Sequence, residues 1–473
     1  MTSTDGRLAL VAAKTSADED GLYSYRADPD TGGLDSRSSI SAGGTPKFLA
    51  VGPDGRRCYV VDTTDDGGSV VTVEVDPETG GLTVLNRVPS GGEGPCYCSV
   101  DATGSYVFVA HYSSGNVATL PVDADGRVER PATVVEHSGS GADPDRQEAP
   151  HPHAVDPGPE NRFVYVPDLG TDEVRVYELD RECGDLRPAD PPAVTLHDGT
   201  GPRHLDFGPD GEFAYLVGEL DSTLTTLVRD PETGALSAVE TVSTLPEGFV
   251  DENLPADVHV HPSGAWVYAS NRGHDSIAVF EVDDEGVARP VAHESTRGSW
   301  PRDFAIGPGG RYLYAENQND DTVVVFAIDD ASGELAATGD GDVLAVEADL
   351  TDRAAVEAFD RAAPLLEPYP DSVRKQLHLW ATESRLALGD AQGAGAELAK
   401  LRDLAPNPAE AAEASFLDAR RQLIDGQADK AEALWREAAA STHPPTRARA
   451  RFVLAERELA AGDKSVQDVI GEL

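Results

Sequence analysis

A unit of about 50 residues recurs through the first 340 positions, and this recurrence narrows the possible folds more than composition does. Each unit reads as a proline, a short apolar strand, a Pro/Asp/Gly turn and an aromatic-rich strand. Three copies begin PKFLAVGPDGRRCYVVD at Pro46, PCYCSVDATGSYVFVAH at Pro95 and PHAVDPGPENRFVYVPD at Pro152. Three more begin PRHLDFGPDGEFAYLVG at Pro202, PADVHVHPSGAWVYASN at Pro255 and PRDFAIGPGGRYLYAEN at Pro301. The spacings between these prolines are 49, 57, 50, 53 and 46 residues. A third alternating strand follows, such as SVVTVEV or SIAVFEV. In several units an Asp-rich turn (DPETGGL from Asp76, DPETGAL from Asp230) then leads into a fourth. Four short strands per period, joined by turns that favour tight hairpins, describe one propeller blade. The segment ahead of Pro46 matches the second and third strands of a unit, including the DPDTGGL turn at Asp28, but lacks a first strand. The expectation is an all-β, seven-bladed propeller with one blade shared between the chain ends.

Composition changes near residues 339–350, from Gly, Pro and β-branched residues to Ala, Leu and Glu. The stretch 371–388 has helical periodicity, an N-cap signal at Asp371-Ser372 and Gly389 where a C-cap belongs. Gly389, Ala394 and Pro406, then Gly426, Ala431 and Trp435, repeat the small-residue and aromatic spacing of tetratricopeptide repeats, and Gly462 marks an incomplete last unit. The expected organisation is a propeller over 1–340, a linker or closing strand over 341–350, and an all-α, tetratricopeptide-like domain over 351–473 that contacts a protein partner. The stretch DVLAVEA from Asp342 to Ala348 either supplies the missing first strand or forms the outer strand of the last unit. Its poor alternation favours the outer strand.

Charge excludes other functions. The chain carries 84 acidic and 38 basic residues, a net charge of −46. A general nucleic-acid or anionic-membrane binder needs the opposite sign. Residues 1–340 hold 60 acids and 22 bases, and residues 341–473 hold 24 and 16. Only 6 of the 38 bases are lysine. An acidic, lysine-poor chain with regular apolar patterning fits adaptation to molar salt, where a short Debye length quenches self-repulsion. No apolar run approaches the length of a membrane span, and no basic, apolar leader opens the sequence. Four cysteines make no disulfide framework. Cys96 and Cys98, two apart in a strand, are expected to share a face as buried thiols. A cytoplasmic setting follows. No metal-ligand spacing, phosphate-binding loop or nicotinamide fingerprint is present, so no metal and no cofactor is expected.

First-strand starts and second-strand ends meet near a propeller's central channel. They carry His151 and His153, Arg203, Glu219 and Arg272 in successive units. Arg and Glu suit a propeller interior only when paired or bound to a ligand. Arg146 and Gln147 lie on the long loop before His151. His111, Asn271 and Asn317 are secondary candidates at second-strand ends, while Asp62 and Asp168 read as turn residues. His204, His259 and His261 read as structural, and Lys47 has no evident role.

The stretches GSGADPDRQEAPHPHAV, GPRHLDF, YLVGELDSTL and YASNRGHDSIAVFEV make residues 5–338 resemble the β-propeller lactonase family. That family includes 6-phosphogluconolactonases and 3-carboxymuconate-lactonising enzymes, and the acidic composition is similar to that of its haloarchaeal members. The resemblance implies a catalytic His153, Arg203, Glu219 and Arg272, with Arg146, Gln147, His151, His111, Asn271 and Asn317 as substrate-binding candidates. It implies hydrolysis of a small anionic sugar-acid lactone, foremost 6-phosphogluconolactone. A muconate-type cycloisomerase and a non-enzymatic scaffold are the alternatives. Lactone opening needs a base for water and positive charge for the oxyanion. Whether His153 or Glu219 is the base stays open in the sequence.

The charge per residue is denser in the propeller, 38 net negative charges over 340 residues against 8 over 133. Raising KCl is therefore expected to shift the melting of the β-rich circular-dichroism signal upward by more than that of the helical signal. Equal shifts, or a propeller most stable without salt, would contradict salt adaptation.

Overall fold

The computed structural model describes residues 8–338 apart from 16, 18, 65 and 66, together with the pair 344–345. Towards the C-terminus it describes 391–404, 408–424 and 427–440, with scattered positions in 375–386 and 450–454. The chain divides into two compact units, Met1–Ala348 and Asp349–Leu473.

In the first unit the described residues form seven antiparallel sheets, each a meander of consecutive strands. These are the blades of a seven-bladed propeller. The inner strands of blades two to seven are Thr45–Val51, Pro95–Val100, Asp156–Pro157, Pro202–Phe207, Leu254–Val260 and Pro301–Ile306. Their second strands are Arg57–Thr64, Tyr106–His111, Phe163–Asp168, Phe213–Gly218, Trp266–Arg272 and Tyr312–Asn317. Second strands are largely buried, apolar except toward their ends, because a blade is covered on both faces by its neighbours. Tyr106–His111 is buried at every position. Outer strands such as Leu236–Ser243 face solvent and are mostly exposed beyond their first residue. Cores form between blades: Tyr215, Val217 and Leu224 pack on Val267, Ala278 and Phe280.

One local feature recurs in the inner strands. Pro46 pairs with Asp62 but Phe48 with Val61, Pro95 with His111 but Tyr97 with Ala110, and Pro301 with Asn317 but Asp303 with Glu316. The residue after each proline is an extra one, a β-bulge. Proline cannot donate to the ladder, so the bulge forms where pairing is already broken. Blades five and six shift register at Pro202 and Pro255 in the same way. The bulge also overturns the shared face expected for the two cysteines. Cys96 Sγ points to the Pro152 carbonyl at 3.5 Å in blade four, and Cys98 Sγ to the Tyr59 carbonyl at 3.5 Å in blade two.

The first blade has three described strands, Leu8–Ala12, Leu22–Ala27 and Leu34–Ile40. It meets the seventh through Val11 and Tyr25 against Val323. The Tyr312 hydroxyl donates to the Asp30 carbonyl, above the turn at Gly32. Gly32 has φ +75, and a Cβ there would lie 2.6 Å from the Tyr312 ring, so the turn needs glycine twice over. Within 342–348 the described residues Leu344–Ala345 pair with Val323 and Thr322 on the outer side of blade seven. The remainder of that stretch lies outside the described residues.

In the second unit the described helices are Ala391–Asp403, Pro408–Ile424 and Ala428–Ala439. Leu398, Leu401, Phe416, Leu417, Ala431 and Trp435 form their core. This is less than the tetratricopeptide-like array expected, for Gly389, Pro406, Gly426 and Gly462 lie outside the described residues.

Among the described residues Leu8–Ala12 pairs on one side only, whereas Phe213–Gly218 pairs on both. Hydrogen exchange should therefore release amides of Leu8–Ala12 faster than those of Phe213–Gly218. Equal protection would show that the inner edge of the first blade is paired.

Candidate active site

Two repeat positions wall the channel. One is the bulged residue after the inner-strand proline: Lys47, Cys96, His153, Arg203, Ala256 and Arg302 in blades two to seven. The other is the residue after the proline's partner on the second strand: Thr63, Tyr112, Leu169, Glu219, Arg272 and Gln318. Below them the Phe48 and Tyr97 rings stack at 4.3 Å, and both stand edge-on to His204, at 6.0 and 4.9 Å. A cavity of about 260 Å³ opens beside Arg203, His204 and Arg302 and continues to Lys47 and Lys14.

Glu219 is the centre of the charged cluster. Its Oε1 accepts from Arg146 Nη2 at 2.6 Å and its Oε2 from Arg272 Nη2 at 2.7 Å. Arg203 Nε lies 2.9 Å from Oε2 as an ion pair, without the alignment of a hydrogen bond. Arg203, Glu219, Arg272 and His153 are 2, 3, 4 and 5 % exposed, so these charges interact in a water-poor site. Burial would push the Glu219 carboxyl up, but Arg272, Arg203 and Arg146 outweigh it and hold the pKa at about 2. Backbone carbonyls fix the guanidiniums. Arg272 Nε donates to Leu254 O at 2.9 Å, and Arg203 Nη1 to Ala256 O. The Arg272 guanidinium also lies 5.6 Å from the Trp300 ring centroid.

His153 sits beside this cluster. Burial, then Arg203, His204 and Arg302, push its pKa well below 6.5, so its ring is neutral. Its Nδ1 is buried with no hydrogen-bond partner. His204 is fixed as the Nδ1–H tautomer, since Nδ1 donates to Asp257 Oδ1 at 2.8 Å and Nε2 accepts from Arg203 Nη1 at 3.1 Å. Two hydrogen bonds thus link Asp257 through His204 to Arg203, and an ion pair links Arg203 to Glu219. Fixed guanidiniums around one neutral imidazole are an arrangement suited to opening an ester whose carbonyl oxygen becomes negative.

A family model described as a lactonase, seven-bladed β-propeller, matches residues 8–347. The chain belongs to that lactonase family. A 6-phosphogluconolactonase of Bacillus subtilis is 34% identical over 296 residues, covering 62% of this chain and 83% of the relative. One of Xenorhabdus nematophila is 33% identical over 271 residues, covering 57% and 77%. The structure of a periplasmic gluconolactonase of Pseudomonas aeruginosa superposes with a TM-score of 0.66 at 33% identity, covering 72% of this chain and 97% of that one. Among the described residues no helix is long and apolar enough to cross a membrane.

The lactonase propeller brings together five of the ten predicted residues: His153, Arg203, Glu219, Arg272 and Arg146. His151 is at the rim, stacked on Tyr112 at 4.4 Å with Nδ1 donating to the Tyr112 carbonyl. Three others turn away. His111 Nε2 bonds Ser90 Oγ at 2.9 Å, and Asn271 bonds Thr244 through both ends of its amide. These residues tie a blade to the one before it. Gln147 is bonded to Leu169, Asp172 and Asp143 and shapes its own loop. Asn317 donates to the Thr296 carbonyl at 3.2 Å and reaches the cavity only at its edge. The slip is one residue: alternation puts Tyr112, Arg272 and Gln318 on the channel side and their predecessors on the other. Arg302 was missed although it holds the same repeat position as His153 and Arg203. Asp257, His259 and Asp303 bring ligand atoms within 4.8 Å of one another, but His204 and His259 already pair with Asp257, at 2.8 and 3.0 Å.

Glu219→Gln leaves three guanidiniums short of their carboxylate and should cost about 3–5 kcal/mol of stability at pH 7. The folded pKa is depressed, so the carboxylate's contribution is complete above 4.5 and lost as pH falls toward about 2. Urea unfolding of wild type and variant should converge across that window. A gap that persists unchanged there would refute the assignment.

Proposed function

We propose that this chain hydrolyses a sugar-acid lactone, most specifically 6-phosphogluconolactone to 6-phosphogluconate, where the charged cluster around Glu219 meets the cavity at Arg203. The observation that carries the reading is the buried carboxylate clamped by Arg146, Arg203 and Arg272 beside a neutral imidazole. The names of the relatives support the same chemistry.

In this reading His153 is the general base. Glu219, held at about 2, is too weak a base to take a proton from water at neutral pH, and its role is to position the guanidiniums. His153 is neutral and its Nδ1 is unpartnered. The cations that depress its pKa, Arg203 and Arg302, are those an anionic substrate would approach, so binding raises the basicity of His153 when it is needed. Water deprotonated by His153 adds to the lactone carbonyl, and a guanidinium receives the oxyanion. The carbonyl then re-forms, the ring C–O bond breaks, and the imidazolium returns its proton to the leaving alkoxide. Arginines in the channel weigh against a purely scaffolding propeller. Four free thiols support a reducing, cytoplasmic setting. Ala394 and Ala431, both buried between helices, support reading the second unit as a tetratricopeptide-type contact module.

Purified full-length chain assayed in high salt should hydrolyse 6-phosphogluconolactone. His153→Ala and Arg272→Ala should each lower kcat at least about a hundredfold, with Arg203→Lys used to preserve the fold. Turnover of a muconate-type lactone in its place would favour the cycloisomerase, and folded variants with unchanged rates would remove the site.

A further inference from the structure

We propose that Lys14, Lys47 and Arg302 form an anion subsite that receives the phosphate of a phosphorylated lactone, at the end of the cavity that starts beside Arg203. The proposal rests on the lactonase reading and names the part of the substrate that this reading leaves unbound.

Only 6 lysines occur in the chain, and 2 of them precede residue 340: Lys14 and Lys47. Both line the one cavity that also holds Arg203, His204 and Arg302. In a segment with 60 acidic residues, surface lysines would be expected beside carboxylates. Among the described residues neither lysine, nor Arg302, makes an ion pair or hydrogen bond. The lysines are exposed at the mouth and Arg302 is half-buried. By contrast the guanidiniums of Arg146, Arg203 and Arg272 are all engaged by Glu219.

The placement follows from the fold. Lys47 and Arg302 are the bulged residues of blades two and seven, equivalent to His153 and Arg203 of blades four and five. Lys14 follows the strand Leu8–Ala12, which has no inner neighbour among the described residues, so the cavity reaches between blades seven and two. Burial, Lys14 and Arg302 all lower the Lys47 pKa, so these cations feel one another, and an arriving dianion relieves the repulsion. Three acids share the cavity: Asp303, Glu316 and Asp321. Burial and the Asp257 charge push Glu316 up to about 7 and Asp303 well above the carboxylate range, and burial and Asp320 raise Asp321. Their opposition to an anion is correspondingly reduced. Two ammonium point charges and one guanidinium fork suit a phosphate monoester. The volume of about 260 Å³ is close to the lower end of small-ligand sites.

The test is calorimetric binding of 6-phosphogluconate and of gluconate to the full chain, with inorganic phosphate as a third probe. Wild type should bind 6-phosphogluconate at least about tenfold more tightly than gluconate. In a Lys14→Ser, Lys47→Ser double variant that ratio should fall toward one, and Arg302→Met should reduce it similarly. Lys47→Arg should retain it. Equal affinities in wild type, or a ratio intact in the double variant, would overturn the subsite. Product binding needs no turnover, so the two readings fail separately. A chain that binds with the expected ratio but opens no lactone overturns the proposed reaction and leaves the subsite standing. One that opens phosphorylated and plain lactones with equal kcat/KM overturns the subsite alone.

Discussion

The inner-strand proline bulge is the constraint on which the rest of the propeller depends. A proline at the head of each inner strand withholds one donor from the ladder, and the strand answers with one extra residue. That residue has no partner across the ladder. In blades two, three, five and seven it is Lys47, Cys96, Arg203 and Arg302, and all four line the cavity. Cys96 also packs on the core between blades three and four. Lys, Cys, His, Ala and two Arg thus occupy the same structural place.

The fold was legible because propeller blades are local. A blade is four consecutive strands, and the turn glycines, prolines and aromatic runs that make it lie within about 50 residues of sequence. The site was legible only in part, because its geometry depends on two things that spacing does not reveal. One is the bulge, which breaks the period of two and separated Cys96 from Cys98. The other is parity at second-strand ends, where His111 and Asn271 stand one residue before the channel-side Tyr112 and Arg272. Glu219 and Arg272 were found because such charges stand out in apolar strands. Arg302 follows a proline in the sixth copy of the motif, and aligning the copies column by column would have exposed it. Gln147 shows the opposite case, a polar residue in a family motif whose every polar atom is used to fold its loop.

The local charge balance inverts that of the whole. The propeller segment is strongly negative, yet at its centre three guanidiniums surround a single carboxylate. The low dielectric there magnifies every one of these interactions, and pairing through Glu219 is what makes so much buried positive charge tolerable. The same burial raises the pKa of the acids beside the cavity, Glu316 and Asp303. Surface acidity and a cationic interior therefore coexist in one domain, the first exposed to salt and water and the second shielded from both.

Phe48, Tyr97 and His204 meet across the channel from blades two, three and five. Phe48 and His204 also line the cavity that Lys14, Lys47, Arg203 and Arg302 share, so part of its wall is aromatic and part cationic. A wall of both kinds favours an occupant with one charged end and one less polar face, and a molecule charged all round gains nothing from the rings.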